Sequence, residues 1–201
     1  MASDGSPRRV ARKSDRTRES ILDAARIAFA RKGFSGVTIR DITDLAAVTR
    51  AGFYYYFSDK TELFIELGTE TYRQALEVAE GFGDLGDPPS RDELQGWVGR
   101  YFDYLDRNGA FVIRSTEDMP TDRKFRAAVA RSHRRTAATL GEVIAKVAPV
   151  SVDVDPAATG LVVMAMLERS WLMVRHNEIA SMPRAAVMAA ATELLWRSLT
   201  G

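Results

Sequence analysis

TIRDITDLAAVTRAGFYYYFSDKTELF, residues 38–64, is the stretch whose reading decides the fold. Thr38 stands where an N-cap would. Ile39, Ile42 and Leu45 follow at three-residue spacing, one face of a short amphipathic helix. Ala46-Ala47-Val48 forms a brief turn. Thr49 is placed to cap a second short helix from Arg50 to about Phe57, with Val48 and Phe53 at the positions of a hydrophobic staple. Ser58-Asp59 ends it, and Asp59 with Glu62 opens a longer helix in capping-box style. Two short helices joined this tightly form the pattern of a helix-turn-helix, whose second helix enters the DNA major groove.

Outward from this stretch the chain reads as helix throughout. On the N-terminal side, Ile21, Ala24, Ala25, Ala28 and Phe29 stripe a helix from about Asp15 to Lys32. Gly33 sits at the position that favours left-handed backbone. Residues 1–14 are small, polar and basic and are expected to form a flexible arm. Downstream, a helix spans about 60–80, and the Gly- and Pro-rich segment 81–90 follows as a loop. Ser90 with Glu93 opens a fifth helix expected to stop at Asn108-Gly109. A short helix over 110–115, one over 123–147 capped by Asp122, one from Asp155-Pro156 to about His176 and one from Pro183 to about Leu199 complete the reading. The segment 148–156 reads as a loop.

The fold class expected is therefore all-α with about nine helices. Residues 15–58 form a three-helix DNA-binding domain, and 59–201 a larger helical domain for effector binding and dimerisation. The helix at 156–176 is apolar on most of its circumference, which points to burial on more than one side and hence to a subunit interface.

Composition narrows the function. Of 201 residues, 46% are hydrophobic and 27% charged, which suits a folded domain. The chain has no cysteine and two histidines, leaving no material for a cysteine- or histidine-rich metal site or a thiol nucleophile. No apolar run reads as a membrane span, no secretory signal is visible, and a cytoplasmic location without a membrane partner is the expectation. The net charge of +1 hides an asymmetry: residues 1–60 carry 12 Lys/Arg against 7 Asp/Glu, and the remainder 16 against 20. The basic excess lies with the helix-turn-helix, which favours a polyanionic partner for that third of the chain.

Residues 15–64, containing ILDAARIAFARKGFSGVTIRDITDLAAVTRAGFYYYFSDKTELF, resemble the TetR family of bacterial transcriptional regulators. Gly33-Phe34, Thr38, Ile42, Val48, Thr49, Tyr54, Phe57, Lys60 and Leu63 fall on the family's pattern. Two residues depart from it. Ala47 stands where glycine is usual in the turn, so a slightly different turn backbone is expected. Gly52 stands where threonine is common, removing a hydroxyl and allowing close backbone approach to DNA.

The resemblance implies phosphate-positioning roles for Thr38, Tyr54 and Lys60. Independently, hydroxyls and a lysine at a helix start suit phosphate. Arg50 is the candidate for a base edge, because arginine pairs bidentately with guanine. Thr49 and Tyr55 suit backbone or a thymine methyl, and Arg40 is a further phosphate candidate. The resemblance also implies a small, often hydrophobic effector bound inside the C-terminal domain. Trp97, Tyr101, Phe102, Phe125, Met164, Met166 and Trp171 are candidate lining, and His133 and Glu168 candidate polar contacts.

The expected function is a homodimeric, sequence-specific repressor that pairs through its last two helices, reads a palindromic operator and is released by a small ligand. No cofactor is expected. Three rivals stand beside it: a regulator that lacks an effector or activates, a helical protein-interaction module, and an enzyme. The last is disfavoured because no nucleophile, base and orienting group converge.

Overall fold

The computed structural model describes residues 7–147, 154–175 and 182–200. Among these, every regular element is a helix: α1 Pro7–Gly36, α2 Ile39–Ala46, α3 Arg50–Tyr56, α4 Lys60–Glu80, α5 Arg91–Glu117, α6 Arg123–Val147, α7 Pro156–Arg175 and α8 Arg184–Thr200. The chain divides into two compact units. The first is Met1–Glu70 with Ala110–Phe125, and the second is Thr71–Gly109 with Arg126–Gly201.

Most helix starts are local chemistry. Asp122 Oδ1 accepts from the Phe125 amide at 2.7 Å, and Asp155 Oδ1 from the Ala157 amide at 2.9 Å. Ser90 and Glu93 close a reciprocal box, the Ser90 amide donating to Glu93 at 2.8 Å and the Glu93 amide to Ser90 Oγ at 3.3 Å. These satisfy amides that a helix start otherwise leaves open.

α1 begins at Pro7, before the expected Asp15. Proline's preset φ suits a first helical position, and no breaker follows until Gly33. Of the expected arm, residues 1–6 lie outside the described residues and 7–14 are helical. At Gly33, φ is 71°, and the helix kinks there. A side chain at Gly33 would collide with the Asp118 carboxylate, which accepts from the Ser35 amide at 3.0 Å and its hydroxyl at 2.8 Å.

The first unit packs around Phe64. Its ring meets Phe29 at 4.9 Å, Phe34 at 5.1 Å, Phe111 at 5.3 Å and Phe125 at 5.8 Å, mostly edge to face. Ile21, Ile42, Phe53, Phe57, Leu63 and Leu67 complete this core. The unit therefore extends past residue 58, the expected boundary, because the first turns of α4 supply its centre. Leu45 departs from the expected stripe and is 49% exposed. The buried face of α2 is instead Ile42, Thr43 and Ala46, with Ile39 partly buried.

In the second unit, α5 runs through Asn108-Gly109, where a stop was expected. An added Cβ at Gly109 would lie 2.7 Å from the Trp171 ring, so this glycine makes room for an aromatic and does not end a helix. The Trp171 Nε1 donates to Asp106 at 2.7 Å beside it. α6 and α7 lie in close contact at Gly141 and Gly160, where added side chains would meet the backbone oxygens of Pro156 and Ala137. By length and composition α7 could cross a bilayer, which the sequence reading did not expect. Glu168 and Arg169 lie within it, charges that a bilayer core disfavours, and Val163, Leu167 and Trp171 are buried against protein. The segment 148–153 and His176 lie outside the described residues.

Candidate nucleic-acid interface

Thr38 caps α2 in a complete capping box. The Asp41 amide donates to Thr38 Oγ1 at 3.2 Å, while the Thr38 amide and hydroxyl donate to Asp41 Oδ2 at 2.8 and 2.7 Å. Lys32 Nζ donates to the other Asp41 oxygen at 2.6 Å. The Lys32 ammonium and then the Thr38 donors hold the Asp41 carboxyl far below the usual carboxylate range. Thr38, itself exposed, thus directs both its amide and its hydroxyl proton to Asp41.

The turn into α3 keeps the left-handed conformation. Ala47 has φ 53° and ψ 41°, and its amide and that of Val48 donate back to Asp44 and Thr43 at 3.4 and 3.1 Å. The alanine holds a conformation that glycine favours, at a steric cost. Thr49 caps α3, its Oγ1 accepting from the Gly52 amide at 3.0 Å. The open side of Gly52 faces this cap, with a built Cβ 3.2 Å from Thr49 Oγ1.

Phe53 and Phe57 are buried and pin α3 to the core. The opposite face presents Thr49, Arg50, Ala51, Tyr54 and Tyr55, all exposed, with Tyr55 at 78%. Arg50 lies over the Tyr54 ring at 5.7 Å and donates to its hydroxyl at 3.4 Å, a pre-arranged guanidinium on an aromatic shelf. Arg40 on α2 is exposed, loosely paired with Asp44 at 3.6 Å. Tyr56 is not part of this face. It is half-buried, and its hydroxyl donates to Ser14 Oγ at 3.2 Å, tying α3 to α1.

Lys60 behaves differently from the expectation. Its ammonium donates to the carbonyls of Phe34 and Val37, each at 2.8 Å, and lies 4.5 Å from the Phe34 ring centroid. Its charge holds the start of α4 onto the α1–α2 connection. Arg18 is also occupied, by an ion pair with Glu66. At the same corner, Asp59 accepts from the Thr61 and Glu62 amides at 2.7 and 2.9 Å. Glu62 reaches back to the Ser58 amide at 2.7 Å and is held low by the two Ser58 hydrogen bonds. The structure therefore gathers Thr49, Arg50, Tyr54 and Tyr55 on one surface, leaves Thr38 exposed with its hydroxyl on Asp41, and turns the Lys60 ammonium to internal work. Ala51 joins the face, and its exposure follows from its i−3 and i−4 spacing to Tyr54 and Tyr55.

The candidate effector residues scatter more widely. Phe125 is part of the first unit, half-buried against Phe64. Its sequence neighbours place it on α6, but α6 begins in the first unit. Trp97 is buried, its Nε1 donating to the Val78 carbonyl at 2.8 Å and its ring edge-on to Phe82 at 4.9 Å. Phe102, Met164 and Trp171 are buried, Met166 is half-buried, and His133 is exposed on α6. Tyr101 and Glu168 meet: the Tyr101 hydroxyl donates to Glu168 Oε1 at 3.4 Å. Burial raises the pKa of Glu168 and, together with the nearby carboxylate, those of Tyr101 and Tyr104. Among the described residues no group of three metal-ligating side chains is found.

A capped two-helix unit with an αL turn, its second helix presenting an arginine and two tyrosines outward, defines a helix-turn-helix domain. Residues 21–67 match the family described as bacterial regulatory proteins, tetR family. Over that stretch the chain resembles the family. It is 32% identical over 142 residues to the HTH-type transcriptional repressor NicS of Pseudomonas putida, covering 70% of this chain and 64% of that protein. It is 36% identical over 112 residues to the HTH-type transcriptional repressor AcnR of Corynebacterium diphtheriae, covering 54% and 53%. The chain thus spans less than two thirds of either relative. Among solved structures, it resembles the TetR family regulator PfmR of Thermus thermophilus at TM-score 0.67 and 21% identity, covering 90% of this chain and 96% of that one. The fatty acid degradation regulator FadR of Bacillus halodurans aligns at TM-score 0.67 and 17% identity, covering 91% and 96%. At these identities the structural likeness establishes the fold alone.

Proposed function

We propose that this chain is a homodimeric, sequence-specific DNA-binding repressor of the bacterial cytoplasm, released from a palindromic operator by a small ligand. The observation that carries the reading is the outward face of α3. Phe53 and Phe57 anchor the helix, and Thr49, Arg50, Tyr54 and Tyr55 project from it. Arg50 fits a guanine edge, and the hydroxyl-bearing side chains fit phosphate or a thymine methyl. Arg40, at the margin on α2, fits a phosphate.

Pairing through α7 and α8 is supported by apolar side chains left in water. Leu161 and Val162 on α7 are 58% and 68% exposed, and Leu194 on α8 61%. Burial of such side chains against a second copy is favourable at about 25 cal/mol per Å². A dimer would offer two copies of α3 to major grooves about 34 Å apart. The ligand-binding part rests on the buried aromatic residues of the second unit and on the relatives' naming as repressors.

The test is selection of bound duplexes from a random pool, followed by affinity measured across salt. The expected result is an inverted-repeat consensus bound about 10³-fold or more above random duplex. Binding that stays at a salt-sensitive background for every sequence refutes the reading. Sedimentation of the free protein reports the dimer.

A further inference from the structure

Within the second unit, the facing sides of α4, α5 and α7 carry an excess of hydrogen-bond acceptors in an aromatic setting. Glu168 on α7 receives one long hydrogen bond, from Tyr101 at 3.4 Å, and among the described residues no basic side chain pairs with it. Met164 and Trp171, one turn before and after it on α7, are buried. Across from it, α5 presents Trp97, Tyr101 and Tyr104, the Tyr101 ring centroid lying 5.5 Å from that of Trp97 and 6.0 Å from that of Tyr104. Two turns beyond Tyr101, Asn108 is fully buried. Its amide nitrogen donates to Gln74 at 2.9 Å and to the Tyr104 carbonyl at 3.2 Å, but its Oδ1 has no partner. On α4, Thr71 is buried, and its Oγ1 likewise has no partner.

Buried polar atoms are normally satisfied, and an unpaired one costs about 1–3 kcal/mol. A carboxylate among aromatic rings with no cation is costlier still. A cation that also carries N–H donors answers the Glu168 carboxylate. Aromatic faces attract such a cation, and an apolar body attached to it suits Trp97, Met164 and Trp171. An anionic ligand would meet the Glu168 carboxylate, and a quaternary ammonium would offer it no N–H donor.

We propose that this interior binds a protonated organic amine with an apolar body, its ammonium on Glu168 beside Tyr101. This deepens the effector reading given above and rests on it for the link to DNA.

The test compares three probes of equal tail and different head, octylamine, 1-octanol and octanoate, by calorimetric titration of the full chain at neutral pH. Octylamine is expected to bind about tenfold or more tighter than octanoate. Glu168→Gln should lower the octylamine affinity about tenfold or more and leave 1-octanol within about twofold. Glu168→Asp, which keeps the charge, should retain the preference for the amine. Equal or tighter octanoate binding, an unchanged Glu168→Gln variant of unaltered far-UV circular dichroism, or no amine binding to the wild type overturns the proposal. Operator release separates the two readings. If octanol or octanoate releases DNA and the amine does not, the effector reading stands and the cation site falls. If the amine binds without changing DNA affinity, the site stands and the effector reading falls.

Discussion

Replacing Lys60 by methionine separates an internal role from a DNA contact. The substitution keeps most of the aliphatic volume and removes the ammonium. Two charge-assisted hydrogen bonds are lost, to the Phe34 and Val37 carbonyls at 2.8 Å each, together with the cation–π contact at 4.5 Å. A hydrogen bond to a charged group contributes about 1.5–3 kcal/mol when well made. The two share one donor group at a partly exposed site where water can replace part of the loss, so a total of about 2–3 kcal/mol is expected. Urea unfolding measures it as a fall in midpoint at constant slope. In parallel, the affinity for duplex DNA is measured between about 50 and 200 mM salt. A side chain that touches no phosphate leaves the slope of log K against log salt unchanged, whereas losing one phosphate contact reduces it by about 0.9. The reasoning is refuted if stability is unchanged and the slope drops by that amount.

Further outcomes follow from the same geometry. Ala47→Gly removes left-handed strain of about 1–2 kcal/mol and adds chain entropy to the unfolded state of about 0.4–1 kcal/mol, so chemical denaturation should show a net gain of about 0.5–1 kcal/mol. Thr38→Ala should cost about 1 kcal/mol as a lost cap. It should also move acid unfolding to higher pH. The depressed Asp41 carboxyl lends stability that is complete above the ordinary carboxylate range and is lost as pH falls toward its folded value, and removing the Thr38 hydroxyl donor raises that value. Gly160→Ala, measured by thermal melting, should destabilise by about 3 kcal/mol or more, because the added methyl meets the Ala137 carbonyl and backbone does not repack as side chains do. Arg50→Ala should cost about 1–3 kcal/mol on the selected operator and relax the preference at one base position per half-site, with little change on random duplex.

What the sequence determined by itself is what short-range chemistry carries. The caps at Thr38, Thr49, Ser90, Asp122 and Asp155 were legible because each joins groups two or three residues apart. The outward placement of Arg50, Tyr54 and Tyr55 was legible because Phe53 and Phe57 must turn inward and helix geometry does the rest. The left-handed Gly33 was legible for the same local reason. The remainder depended on partners distant in the chain. Lys60 reads as a free cation until the carbonyls 23 and 26 residues away are in place. Gly109 reads as a helix stop until the Trp171 ring is set against it. Phe125 reads as a lining residue of the second unit until Phe64 gathers it into the first. A pattern of residue types constrains a backbone over a turn or two. Which charge is spent, which glycine is crowded and which ring joins which core are settled by packing between helices, where a few ångströms decide whether a hydrogen bond or a methyl group fits.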